Sequence, residues 1–244
     1  MKKVLNGFQL KIIAIVLMFI DHAGALFFPN IMLIRIIGRL SFPLFAFSIT
    51  QGYLHTRSVK KYLLRLGTCA ILFQIPDWFS TIYAKLTNNQ FFGVHYVLNI
   101  FATLFFGLAA VTLFDKLKSK GLLWSWLGAV AMAVLAEVTG ADYGAYGVFY
   151  ILMFYLAGTD TKRIFIGITV LHAAYGAYEA IFSLIQTGSA AFPHAIQLFS
   201  MFSAFLVSMY NNEQGRKMKF FFYAFYPGHM ILLYLIQALV QSIK

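Results

Sequence analysis

Three observations predict an all-α protein, a polytopic transmembrane helical bundle of about nine spans with its N-terminus in the cytoplasm. Of 244 residues, 61% are hydrophobic and 11% charged, and the mean hydropathy is +0.77, which excludes an ordinary soluble domain. Apolar runs of about 15 to 23 residues recur from one end to the other, on the scale a helix needs to cross a hydrocarbon core of roughly 30 Å. Lys and Arg then fall on alternate sides of those runs, and that asymmetry sets orientation. A net charge of +11 would suggest nucleic acid in a soluble chain, but its distribution here reads as topology and implies no nucleic-acid partner. With no fixed-period repeat and no low-complexity linker, residues 1–244 read as one domain.

The spans in order are 8–28, 31–53, 62–82, 94–114, 122–138, 143–157, 164–185, 194–210 and 220–240. Fifteen of the nineteen Lys and Arg residues then lie at the N-terminus or after even-numbered spans, in groups ending at Lys11, Arg65, Lys120, Arg163 and Lys219. Only Lys85 and Lys244 lie opposite. The positive-inside rule therefore puts the C-terminus outside; the expected location is a cell membrane, bacterial inner or cytoplasmic, crossed many times. Ala23-Gly24-Ala25 has the form of a signal cleavage site, yet further spans follow it, so the first helix is read as retained.

Spans one and two form a hairpin with unusual contents. Ile12 to Ile20 is wholly apolar, but Asp21 and His22 follow, about 15 Å along the helix from Lys11 at roughly 1.5 Å per residue. After a turn at Pro29-Asn30, span two carries Arg35 and Arg39, four residues apart and so on one helix face. Each such group costs roughly 2.5 to 3.5 kcal/mol to insert, which makes function the default reading. The structural alternative is that Asp21 pairs Arg35 or Arg39 and neutralises a buried charge.

Beyond the hairpin, Arg57, Lys60, Lys61 and Arg65 open the third span, with Arg57, Lys61 and Arg65 at four-residue spacing on nearly one face. They read either as a topogenic patch against anionic lipid headgroups or as an anion site for a phosphate-bearing cosubstrate. Pro76 is expected to break span three, leaving Asp77 as a solvated interfacial acid. Asn99, inside span four, calls for an interhelical hydrogen bond. Spans five and six are short and joined by an acidic, glycine-rich stretch, in which Asp142 and the neighbouring Tyr143 meet either a substrate amine or nearby backbone. In span seven, His172 and Glu179 share a face but lie roughly 10.5 Å apart along the axis, too far to touch. Span eight carries no charge and reads as scaffold. In span nine, Pro227 and Gly228 are expected to bend the helix, while Tyr226 and His229 share a face, His229 at a depth comparable to His22.

A histidine beside a carboxylate can act as a general base near neutral pH. No serine or cysteine sits in a nucleophile motif, and no metal-ligand spacing appears. The single cysteine, Cys69, excludes an internal disulfide framework, and no Walker or Rossmann glycine pattern is present. Direct transfer with His as base is therefore favoured over a covalent intermediate. Proton-coupled transport of a small anionic solute could use the same groups, and in a non-enzymatic membrane assembly factor they would be interhelical glue.

Several stretches together resemble the TraX family, named for the F-pilin acetylase of conjugation. They are Leu10-Lys-Ile-Ile-Ala14, Ile20-Asp-His-Ala-Gly24, Arg35-Ile-Ile-Gly-Arg-Leu-Ser-Phe-Pro-Leu-Phe-Ala-Phe47, Gly52-Tyr-Leu-His-Thr-Arg57, Tyr62-Leu-Leu-Arg65, Asp142-Tyr-Gly-Ala-Tyr-Gly147 and Phe222-Tyr-Ala-Phe-Tyr-Pro-Gly-His229. The plan is also similar to that of acyltransferase family three. The resemblance implies a transferase that moves an acetyl group from cytoplasmic acetyl-CoA, as cosubstrate, to an amine or hydroxyl of a peptide N-terminus, glycan or lipid. It implies His22 as general base, Asp21 as its orienter or the partner of Arg39, and Arg39 as oxyanion stabiliser, with His229 also in the catalytic group. Arg35, Arg57, Lys60, Lys61 and Arg65 would hold the cosubstrate, and Asp142, Tyr143, His172, Glu179 and Tyr226 would face the acceptor.

Overall fold

The computed structural model describes residues 2–87, 97–192 and 194–243. Val94, His95 and Tyr96, the predicted start of the fourth span, and Lys244 lie outside the described residues, as do the side chains of Lys85 and Lys219. The described chain is all-helical, with no strand beyond isolated bridges at Leu5–Tyr210 and Leu98–Ala141. Its elements are α1 (Gly7–Phe27), α2 (Met32–Gly38), α3 (Ser41–His55), α4 (Val59–Thr87), α5 (Ile100–Leu117), α6 (Leu122–Val138), α7 (Gly144–Ala157), α8 (Thr161–Thr187), α9 (Ser203–Ser208) and α10 (Lys219–Ile243). Short 3-10 segments run over Lys118–Lys120 and Ala195–Phe202. Five stretches are long and apolar enough to cross a membrane: Gly7–Phe27, Met32–His55, Ile100–Lys120, Thr161–Thr187 and Phe220–Val240. Three shorter apolar stretches, Leu122–Val138, Gly144–Ala157 and Ala195–Ser208, accompany them. The chain falls into two compact units, residues 1–48 with 157–244, and residues 49–156.

In the first unit, α1 starts from a reciprocal cap. Asn6 Oδ1 accepts from the Gln9 amide and Gln9 Oε1 from the Asn6 amide, both at 2.9 Å, satisfying two donors that a helix start leaves open. The segment before it is tied down by Val4 and Leu5 amides, which both donate to the Met209 carbonyl at 2.9 Å, while Lys3 Nζ donates to the Thr159 carbonyl at 3.2 Å. The N-terminal segment, the turn before α8 and the end of α9 therefore meet. Asp160 caps α8 by accepting from the Arg163 amide at 2.9 Å, which holds its carboxyl below the usual carboxylate range. Gly188, at φ +73°, closes the same helix in the left-handed conformation that glycine adopts without penalty. Leu10, Ala14, Ile164, Ile168, Ala204 and Val207 are buried in this unit, whereas Val170, Ile185, Phe220 and Leu235 stay exposed, as lipid-facing side chains would.

In the second unit, α6 lies against α5 through Ser125, Ala129, Ala133 and Ala136. Spacings of four and three put these small residues on one face and let two backbones approach, the usual device where lipid removes any hydrophobic drive. Trp124, Leu127, Val134 and Val138 are exposed. At the start of α7, Glu137 Oε2 accepts from the Ala145 amide at 2.9 Å. A Cβ on Gly144, which sits at φ +47°, would overlap that carboxylate.

Several expectations are corrected here. Span two is not one helix: α2 ends at Gly38 and α3 starts at Ser41, with Pro43 in its first turn, where a missing N–H costs little. Pro76 does not break span three, because α4 continues through it to Thr87; a transmembrane helix can accommodate proline when neighbours resatisfy the backbone. Asp77 is not simply solvated, since Gln74 Nε2 donates to it at 3.3 Å. Asn99 does make the expected interhelical bonds, donating to the Ala70 carbonyl at 2.8 Å and to Gln74 Oε1 at 3.0 Å. It does so as the cap of α5, not from within a span. Span eight is a 3-10 segment followed by a six-residue helix. Arg57 lies between α3 and α4, so only Lys61 and Arg65 keep the four-residue helical spacing.

Candidate functional site: a buried ion pair beside two histidines

The first unit assembles its polar groups around α1. This helix packs on α2 and on α10, so consecutive residues, about 100° apart, address different neighbours. Asp21 turns to α2. A Cβ on Gly38 would overlap Asp21, and one on Gly24 would lie 2.5 Å from Ile34 Cγ2, so both glycines are what let these two helices touch. The Asp21 carboxylate accepts from Arg39 Nη2 through Oδ2. Arg35 Nη1 lies 3.0 Å from Oδ1 as an ion-pair contact, its aligned hydrogen bond going to the Asp21 carbonyl at 2.9 Å. One carboxylate thus serves two guanidinium groups, and the trio carries one net positive charge. Arg39 Nε is buried with no hydrogen-bond partner among the described residues, a donor left open in a place where an unmade bond is costly.

His22, the next residue, turns to α10. Its Nδ1 lies 2.8 Å from His229 Nε2, and His229 Nδ1 lies 2.8 Å from the Phe225 carbonyl. With centroids 5.0 Å apart and planes 20° from parallel, the two rings meet edge to edge. Tyr226 packs against His229 with centroids 5.9 Å apart, on the face the sequence predicted. Asp21 therefore pairs the arginines, and the group held against His22 is a second histidine.

The remaining predicted residues fall elsewhere. His172 is buried, with Nδ1 2.8 Å from the Ile168 carbonyl and Nε2 2.8 Å from Ser200 Oγ, so neither ring nitrogen remains for a substrate. Glu179 does not touch it; its two oxygens receive the His194 ring at 2.8 Å and the His194 amide at 2.9 Å. His194, noticed in the sequence only as a span boundary, is the partner of Glu179 that was missed. A carboxylate within an otherwise apolar helix, eight residues before its end at Thr187, was the only local signal for it.

In the second unit, Asp142 is exposed and its amide donates to the Leu98 carbonyl at 2.9 Å; Tyr143 donates its amide to Thr103 Oγ1 at 3.2 Å. Arg57, Lys60, Lys61 and Arg65 are all exposed. Ser58 Oγ accepts from the Lys61 amide at 3.3 Å, so this basic run begins α4. Cations there oppose the helix dipole, and the first turn favours an anion. Arg35 is bound to Asp21 and belongs to the first unit. A second polar cluster joins the C-terminal ends of α3, α5 and α7. Tyr53 donates to Asp115 Oδ2 at 2.8 Å, Tyr155 to Oδ1 at 2.5 Å and Lys118 to Oδ1 at 3.1 Å.

Among the described residues, five helical stretches fit to cross a bilayer, with an acid, two arginines and two histidines gathered inside one unit, are the makeup of a multi-pass membrane protein with a built polar centre. The sequence model of the TraX family, described as TraX protein, matches residues 6–237, and the chain belongs to that family. It is 29% identical over 239 residues, 93% of this chain and 94% of the relative, to the probable fimbrial assembly protein FimC, serogroup H1, of Dichelobacter nodosus. No solved structure matches the chain.

Proposed function

We propose that this protein is a membrane-embedded acetyltransferase that uses acetyl-CoA from the cytoplasm, with nine crossings and its N-terminus on that side. The observation that carries the reading is the gathering around α1 of His22, whose Nε2 meets no described group, and of Arg39, the residue that ends α2, which is bound to the adjacent Asp21 and keeps an open buried donor. Acyl transfer needs both a base for the acceptor and a donor for the developing oxyanion. His22 removes the acceptor proton, Arg39 stabilises the oxyanion, and Asp21 holds Arg39 in place. Arg57, Lys60, Lys61 and Arg65 bind the cosubstrate's phosphates, which are anions suited to the start of α4. Family membership and the fimbrial relative favour a pilin-type N-terminal amine as acceptor over a glycan or lipid hydroxyl.

The test is calorimetry of acetyl-CoA binding to the purified protein and to an Arg57→Ala, Lys61→Ala double variant at two salt concentrations. Binding that weakens in the variant and with salt is expected; a folded wild type that binds no acetyl-CoA sinks the donor assignment. The relative's name supports a second reading, a non-enzymatic assembly factor. Under that reading His22→Ala leaves pilus assembly intact.

A further inference from the structure

The three-residue chain of contacts at His22 fixes more than a partner. A carbonyl oxygen can only accept, so the bond at the Phe225 carbonyl requires the proton of neutral His229 to sit on Nδ1. Its Nε2 is then an acceptor, and the 2.8 Å contact requires that His22 donate from Nδ1. Neutral His22 therefore carries no proton on Nε2, and no described group takes that nitrogen. We infer that His229 is a positioning residue that selects this tautomer of His22 and holds a proton for it during the reaction, an inference that rests on the transferase reading above.

The atoms balance. The acceptor's N–H or O–H bond breaks as its heavy atom bonds the acetyl carbon, and the proton goes to His22 Nε2. His22 Nδ1–H passes to His229 Nε2, so the imidazolium is His229, whose Nδ1–H stays on the Phe225 carbonyl. The C–S bond then breaks, CoA leaves as the thiolate, and the thiolate takes the proton from His22 Nε2 while His229 returns its own to His22 Nδ1. The transfer to His229 is favoured by charge. Asp21, Arg35 and Arg39 already carry one net positive charge beside His22, and like charges at short range in a low dielectric repel strongly. Moving the proton one ring outward, onto α10, relieves that repulsion. A glutamine in place of His229 could accept from His22 but could not take its proton, which separates the two roles.

The experiment is solid-state nitrogen-15 NMR of the full chain in lipid bilayers, with labelled histidine rings and His22 assigned from a His22→Asn sample, at a pH where both rings are neutral. In the wild type His22 is expected with Nδ1 protonated, Nε2 bare, and a coupling across the hydrogen bond to His229. In His229→Phe the coupling disappears and His22 becomes a mixture of tautomers; in His229→Gln the bare Nε2 returns. A wild type with the proton on His22 Nε2, or a His22 spectrum unchanged in His229→Phe, overturns the inference. Should His229→Phe not fold, the wild-type tautomer and His229→Gln decide it. In the acetyl-transfer assay, His229→Gln is expected to lower kcat with KM for acetyl-CoA unchanged, by less than the roughly 10²–10⁴-fold of losing the base itself. An unchanged kcat overturns the proton-holding role. A wild type with the expected tautomer and no acetyl transfer refutes the transferase reading and leaves the tautomer assignment standing.

Discussion

Asp21 and Asp115 are both carboxylates on apolar helices, and they are satisfied in opposite ways. Asp115 gathers one lysine and two neutral tyrosine hydroxyls, and its two oxygens are both bonded. Its side chain is 40% exposed, where water and salt screen the pair. That arrangement ties three helix ends and asks for nothing more. Asp21 is 11% exposed and faces two guanidinium groups, with one arginine nitrogen left over and a histidine pair on the helix's other side. Buried charge that is only partly compensated costs stability, so a fold that keeps it invites a functional explanation. A closed neutral set, by contrast, is sufficiently explained as a fastening.

Substitutions can break this contrast, and the largest effect is expected at His22. His22→Ala should lower acetyl transfer by about two to four orders of magnitude, with a fall in Tm from the cost, about 1–3 kcal/mol, of leaving His229 Nε2 without its donor; activity within a few-fold of wild type would remove His22 as the base. Next comes Asp21→Asn, which leaves two guanidinium groups buried without their anion. A loss of about 3–5 kcal/mol is expected from breaking such a pair, read as a fall in Tm and in folded yield. Gly38→Ala adds a methyl where Asp21 already sits and should cost about 1–3 kcal/mol, again as a lower Tm, with Asp21 displaced from Arg39. Asp115→Asn should cost least, about 1 kcal/mol or less for an exposed pair, with acetyl-CoA turnover unchanged. If Asp115→Asn proved as damaging as Asp21→Asn, the distinction between fastening and site would fail.

Much of the candidate site was legible before any coordinates. Asp21, His22, Arg35 and Arg39 stand out because charge in an apolar run is expensive wherever the helices go, and the four-residue spacing of the arginines already places them together. His229 and Tyr226 were visible as polar groups beside a proline within an apolar run. The sequence could not say whether Asp21 would orient His22 or pair Arg39, since both were within reach of a residue on a helix whose rotation was unknown. Nor did the reading of 31–53 as one apolar run see the break after Gly38, although Gly38, Ser41 and Pro43 stand around it: each is tolerated within a span, and apolar length alone does not show where the backbone turns. Pro76 misled for a related reason: its local preference is to end a helix, and the surroundings overrode it.

By itself the sequence determined the helical class and the positions where polar groups enter apolar runs. These follow from backbone hydrogen bonding and transfer free energy, which are properties of each segment alone. Only the tertiary structure decided which of those groups are partners. His22 and His229 are 207 positions apart, and their meeting depends on how α1 is rotated between α2 and α10. That rotation is set by the packing of Gly24 and Gly38 against their neighbours, a contact between helices that no single segment encodes.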